Sequence, residues 1–125
     1  MLVETQLVSI RRVVPDIKSK RFDESRDFYV GVLGFEVVMD TEWIMTFASA
    51  TNPTAQVSVV KPDAASTVDP DVSVEVTDVD NVHARAVRRG DDIAYPLTNE
   101  AWGVRRFFVR DPNGVVINVL SHISD

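Results

Sequence analysis

The stretch Trp102-Gly-Val-Arg-Arg-Phe-Phe-Val-Arg-Asp-Pro-Asn-Gly-Val-Val-Ile-Asn-Val-Leu120 reads as two short β-strands, residues 104–109 and 115–120, around a tight turn. Apolar and β-branched residues dominate both arms, and Asp111-Pro112-Asn113-Gly114 between them is strong turn chemistry. Pro112 presets the φ of a turn's first central residue, and Asn113-Gly114 tolerates the positive φ that sends the chain back. Hairpins of this kind occur in every fold class, so the meaning of this one depends on its neighbours.

Upstream, residues 71–76 alternate strictly and read as a strand. Asp78 then caps a helix with Val79, Val82, Ala86 and Val87 on one stripe and Gly90 at its end. Residues 93–97 form a short strand, placed at a sheet edge by Pro96. With the hairpin, this half reads β-α-β-β-β. The first half has the same order. Residues 5–14 form a strand that Pro15 ends, residues 18–22 a basic connection, and Asp23 caps a helix with Phe28/Val32 and Tyr29/Leu33 on its apolar face and Gly34 as its stop. Strands follow at residues 36–39, 43–48 and 56–61. Residues 63–70, rich in Pro, Asp, Ser and Ala, read as a linker, so one domain of residues 1–125 divides into module 1 (1–62), linker and module 2 (71–125).

The repetition is checked within the chain itself. Val14-Pro15-Asp16-Ile17 matches Val76-Thr77-Asp78-Val79 at an offset of 62, Gly34 matches Gly90 at 56, and Asn52-Pro53 matches Asp111-Pro112 at 59. The drop from 62 to 56 places about six extra residues in the basic stretch 18–22 of the first half. The expected fold is therefore α+β: two βαβββ modules forming a mixed β-sheet, paired within one chain or exchanged between two.

Composition bounds the function. Thirteen Lys and Arg against 19 Asp and Glu give a net charge of −6, which lacks the basic footprint of a nucleic-acid binder. An acidic balance suits a cationic ligand, although solubility alone accounts for it. With no cysteine there is no disulfide, thiolate nucleophile or zinc-thiolate site. No apolar run approaches the roughly 20 residues of a membrane span, and the N-terminus lacks a basic region before an apolar run, so the expected class is soluble and cytoplasmic, with no membrane partner.

Alternation sorts the strand residues onto two faces. Ile10, Val14, Val57, Val59, Val72, Val74, Val76, Val115, Ile117 and Val119 form an aliphatic set for the helices to cover. Ser9, Arg11, Val13, Gln56, Ser58, Val60, Asp71, Ser73, Glu75, Val116, Asn118 and Leu120 form the other. If the strands curl, the polar members of this second set line a shared concavity; otherwise they face solvent. Arg12, on the aliphatic side, breaks the pattern. Trp43, Met45 and Phe47 share a strand face and Trp102 precedes the hairpin, so aromatic walls flanking the polar floor suit a planar or cationic organic ligand, with core packing as the other use of the same residues. For residues 104–109, Arg105 and Phe107 are preferred over Arg106 and Phe108 as cavity lining. Asp71 and Glu75 share a face as a candidate carboxylate pair, His83 reads as a structural residue at the helix margin, and no Ser-His-Asp or Cys-His arrangement is available.

These modules, with Ser25-Arg26-Asp27-Phe28-Tyr29, Val32-Leu33-Gly34-Phe35, Val72-Ser73-Val74-Glu75-Val76, Asp78-Val79-Asp80 and the hairpin, resemble the vicinal oxygen chelate superfamily of glyoxalases, extradiol dioxygenases, fosfomycin-resistance enzymes and bleomycin-resistance proteins. The resemblance implies a cupped sheet with helices on its convex face. It also implies a divalent metal held by His, Gln or Glu on the first and last strands of each module. Those positions fall near Ser9 and Ser58 and on Asp71 and Asn118, where only Asp71 is a natural hard-metal ligand. A second set, Asp71, Glu75, Asn118 and His122, shares the polar face. The expected function is accordingly metal-independent binding or sequestration of a small organic molecule by a homodimer, without a cofactor. Its ligand site takes in Ser9, Arg11, Trp43, Phe47, Gln56, Ser58, Asp71, Ser73, Glu75, Trp102, Arg105, Phe107 and Asn118. The alternative is a metal-dependent lyase or dioxygenase with atypical ligands.

Overall fold

The computed structural model describes residues 8–62 and 68–123. In chain order the elements are β1 (Ile10–Lys18), α1 (Phe22–Gly31), β2 (Glu36–Asp40), β3 (Ile44–Ala48), β4 (Gln56–Val60), β5 (Val72–Val76), α2 (Val79–Arg89), β6 (Ile93–Asn99), β7 (Val104–Arg110) and β8 (Val116–His122). The eight strands form one mixed sheet in the order β2-β3-β4-β1-β5-β8-β7-β6. β1–β4 and β5–β8 are parallel and every other pairing is antiparallel. The two half-sheets meet inside one chain where β1 runs antiparallel to β5. The result is the α+β cupped sheet, with both helices on its convex side.

Local chemistry accounts for most boundaries. The last turn is built on Asp111, whose Oδ1 accepts from the N–H groups of Asn113 and Val115 while Gly114 takes a φ of 83°. Asp78 caps α2 by accepting from the Asn81 N–H, and Gly90 ends that helix in the left-handed region. β6, with Pro96, lies at the sheet edge. Residues 5–7 of the expected first strand and 63–67 of the expected linker lie outside the described residues.

Two expectations are corrected in the first half. Pro15 does not end its strand, because β1 continues to Lys18 and so takes up residues assigned to a connection. Pro15 sits where β1 changes partners: residues 10–15 pair with β5, and Asp16, Ile17 and Lys18 pair with β4. A residue without an N–H is tolerated at such a switch. The first helix begins at Phe22 with Arg21 as its N-cap and no side-chain cap, so Asp23 lies inside its first turn rather than before it.

Two apolar clusters hold the helices to the sheet. Beneath α1, Phe22, Tyr29 and the following Phe35 pack on Met45, Phe47, Val57 and Val59, with Tyr29 stacked on Phe47 at 5.0 Å. Beneath α2, Val79 and Ala86 join Val76, Phe107 and Val119, and His83 meets the Phe107 ring edge-on at 4.9 Å. Phe28, Val32 and Leu33 of the expected α1 stripe are exposed, so the helix is anchored chiefly through Tyr29.

Phe47 and Phe107 are fully buried, whereas Trp43 and Trp102 are 65% exposed. Phe47→Ala and Phe107→Ala are each expected to cost about 3–5 kcal/mol in urea denaturation, and Trp43→Ala and Trp102→Ala less than about 1 kcal/mol. Equal losses in the two pairs would refute this division between core and surface aromatics.

Candidate functional site

The concave face is organised by one irregularity. Ile10 pairs with Val76 and Arg12 with Glu75, so the ladder between β1 and β5 shifts by one residue and Arg11 is the extra residue of a β-bulge. Past the bulge, alternation reverses. Arg12, Val14 and Asp16 join the face of Ser73 and Glu75, which explains Arg12 and removes Val14 from the aliphatic set under the helices.

Three cross-strand rows result. The first runs Tyr95, Phe108, Asn118, Ser73, Val14; the second Thr98, Arg106, Leu120, Glu75, Arg12; the third Thr46, Ser58, Asp16. The central members Val14, Thr46, Ser58, Phe108, Asn118 and Leu120 are buried, so the cup is nearly closed over its middle. It opens at one end into a depression of about 380 Å³ lined by Arg11, Glu75, Val76, Thr77, Ser121 and His122.

Charge on this face is matched in pairs. Glu75 accepts from Arg12 Nε at 2.5 Å and from His122 Nδ1 at 3.0 Å, and Arg12 Nη1 also donates to Gln56 Oε1 at 2.7 Å. Burial pushes the Glu75 carboxyl up, but the hydrogen bonds from Arg12 and His122 prevail and hold it below its usual value. Arg106 donates to Glu100 at 2.7 Å, and its guanidinium lies 4.8, 5.1 and 5.3 Å from the rings of Phe108, Trp102 and Tyr95. Tyr95 donates its hydroxyl proton to the same Glu100 oxygen at 2.8 Å.

Among the described residues Asp16 has no such partner. Asn118 Nδ2 donates to Ser73 Oγ at 3.0 Å, and Ser73 donates to Asp16 Oδ2 at 2.6 Å. Burial dominates and pushes the Asp16 carboxyl up to about 6, against the Ser73 hydrogen bond and the more distant charges of Arg12 and Arg106. At the head of the same chain, Asn118 Oδ1 is buried without a partner among the described residues, a deficit worth about 1–3 kcal/mol.

The expected site residues divide accordingly. Arg11, Gln56, Ser58, Ser73, Glu75 and Asn118 belong to the concave face or its open end. Ser9 precedes β1, bonded through its backbone to Thr77. Asp71 accepts from the Val116 N–H and from Lys18 Nζ, bonds that hold its carboxyl low and clasp the ends of β1, β5 and β8. It is thus remote from Glu75 as an acid–base partner. Trp43 is exposed at the start of β3, and Trp102 caps Arg106. Three expectations fail: Phe47 and Phe107 lie in the convex-side core, and Arg105 turns to Asp80 and Asn99 beside α2. Arg106 and Phe108 take the concave places instead. Asp16, Thr46, Tyr95 and Glu100 were missed, although Arg12 in an aliphatic run was a visible sign of a bulge.

Residues 10–119 match the family model described as the Glyoxalase/Bleomycin resistance protein/Dioxygenase superfamily. The chain belongs to that superfamily. A superfamily member from Vibrio splendidus 12B01 is similar at 20% identity and a TM-score of 0.69, over 90% of this chain and 99% of that one. A Streptomyces coelicolor methylmalonyl-CoA epimerase variant, in complex with 2-nitronate-propionyl-CoA, is similar at 18% identity and a TM-score of 0.70, over 93% and 100%. A single-residue mutant of homoprotocatechuate 2,3-dioxygenase from Brevibacterium fuscum is similar at 20% identity and a TM-score of 0.67, over 93% of this chain and 33% of that one. No curated protein matches the chain. At these identities the similar structures share the fold.

The positions where the superfamily resemblance puts a metal do not converge on a donor set. Ser58 shares a hydrogen bond with Thr46 at 2.7 Å, Asn118 gives its amide nitrogen to Ser73, and Asp71 is held by Lys18 and Val116. Among the described residues no three His, Asp or Glu side chains gather closely enough to hold an ion. The Glu75–His122 pair stands beside two arginines, whose charge opposes a cation.

Glu75→Ala leaves Arg12 half-buried with Gln56 as its remaining partner and is expected to cost about 3 kcal/mol by denaturation, more than any exposed ion-pair deletion such as Glu24→Ala. Asp16 binds its proton more tightly folded than unfolded, so its contribution to stability is greatest below its ordinary 3.8 and is lost as pH rises to about 6. Asp16→Asn, whose amide oxygen still accepts from Ser73, is expected to match the wild type near pH 4 and to be more stable at pH 8 by on the order of 2 kcal/mol, read by denaturation at both pH values.

Proposed function

We propose that this protein binds a small organic molecule in its concave face without a metal, and that it acts by binding or sequestration. The observation that carries this reading is the donor set itself. Groups at the superfamily's metal positions are engaged with one another, while the floor between them retains acceptors at Asp16 Oδ1 and Asn118 Oδ1 without partners among the described residues, beside the Phe108, Trp102 and Tyr95 walls. Polar groups with spare capacity next to aromatic surface suit a ligand that is part planar and part hydrogen-bonding. The names of similar structures include an epimerase and a dioxygenase, and a metal-dependent lyase or dioxygenase is the competing reading. Exposed Phe28, Val32 and Leu33 on and after α1, with Val38 and Met39 on β2, support a homodimer as the working unit.

Purified protein is expected to carry less than about one-tenth equivalent of Ni, Zn, Mn or Fe by elemental analysis, with a melting temperature unchanged by EDTA. A panel of aromatic compounds is expected to include ligands that raise the melting temperature, an increase that Asn118→Leu abolishes. Stoichiometric metal lost on Asp71→Ala would overturn this reading in favour of the lyase or dioxygenase.

A further inference from the structure

We propose that the open end of the cup, between Arg11 and His122, is an anion site that receives the carboxylate or phosphate group of the ligand. This rests on the concave-face reading above and gives it a substrate class. The acidic composition suits the reverse, a cationic ligand.

The groups that the lining has left to offer decide the sign of the ligand. Both Glu75 oxygens are taken, Oε1 by Arg12 and Oε2 by His122, and Arg11 Nε forms a longer ion pair with Oε2 at 3.7 Å. Ser121 Oγ donates to the Val76 carbonyl and accepts from the Val79 N–H, so it too is spent. Thr77 Oγ1 accepts from the Ser9 N–H, which leaves its hydroxyl proton free. Arg11, 63% exposed, makes no hydrogen bond among the described residues and presents its whole fork of N–H groups. A carboxylate only accepts, so His122 Nδ1 donates to Glu75 and is spent as well. The spare groups of Arg11 and Thr77 are therefore donors.

Charge points the same way. Among the described residues, two arginines, Arg11 in the lining and Arg12 behind it, share the one carboxylate of Glu75, in a chain whose total charge is −6. The bulge supplies the geometry, because the extra residue is released from the ladder and its side chain re-aimed while Arg12 takes the paired place. A planar guanidinium fork suits the paired oxygens of a carboxylate or phosphate. The depression, about 380 Å³, is large enough for a small aromatic acid, and Glu75 in its lining stands in register with Leu120 and Arg106 on the neighbouring strands.

Isotope-labelled full-length protein titrated with benzoate, phenyl phosphate, benzamide and benzylamine tests the assignment by NMR. Benzoate or phenyl phosphate is expected to shift the His122 ring and Arg11 Nε–Hε signals, and the tighter of the two identifies the headgroup. Benzamide and benzylamine are expected to leave both signals in place. Arg11→Gln should weaken the anion by about ten-fold or more, and Arg11→Lys, which keeps the charge and loses the fork, should fall between Arg11→Gln and the wild type. Because Arg11 is exposed, neither variant threatens the fold, which an unchanged spectrum elsewhere verifies. Benzylamine binding as tightly as benzoate, or unchanged benzoate affinity in Arg11→Gln, would overturn the anion site. Shifts confined to Trp102 and Phe108 would overturn it while leaving concave-face binding intact, and no shift from any probe would count against both.

Discussion

The antiparallel contact of β1 with β5 joins two half-sheets, each carrying its own helix on the convex side, into one eight-stranded surface. Its register carries the rest of the molecule. A single residue of slip between two strands exchanges every side chain between faces, and here one such slip is built in at Arg11. Without it, Arg12 would point under the helices, where a charge has no partner. With it, Arg12 meets Glu75 and Gln56, and Asp16 meets Ser73. The bulge and the ion pair therefore depend on each other: the bulge delivers the charges, and their mutual satisfaction makes the delivered position tolerable.

That seam also determines the electrostatics of the cup. The chain is acidic overall, yet on this face Glu75 is matched by Arg12, Glu100 by Arg106, and at the rim Asp71 by Lys18. Among the described residues of this face, Asp16 is left with a hydroxyl rather than a cation, and desolvation raises its carboxyl accordingly. The superfamily scaffold is retained, and Ser58, Asn118 and Asp71 are engaged with Thr46, Ser73 and Lys18 respectively. The aromatic groups around Arg106 add a second, drier region, so one continuous face passes from ring surfaces to exposed hydrogen-bond donors.

Much of this was legible without coordinates, for reasons particular to each residue. The Asp111 turn, the Asp78 cap and the Gly90 stop are written in local chemistry, since each acts on backbone groups a few positions away. Gly34 and Gly90 likewise adopt the positive φ that follows a helix. Pro15 misled because its missing N–H matters only toward a neighbour, and which neighbour it has is a property of the sheet. Arg105-Arg106-Phe107-Phe108 misled for a simpler reason: both alternation sets hold one arginine and one phenylalanine, so the pattern is symmetric between faces.

By itself, then, the sequence determined two β-α-β-β-β repeats, their turns and caps, and the sorting of strand residues into sets of period two. Tertiary structure alone decided that the halves pair within one chain, that Arg106 and Phe108 face the cup while Phe47 and Phe107 fill the core, and that Arg11 lies exposed beside Glu75 and His122. The physical reason is that alternation is a local property, imposed by strand geometry on any chain. Which set lies inward is fixed by the register against a strand 60 or so residues away, and one bulged residue in that register is enough to reverse it.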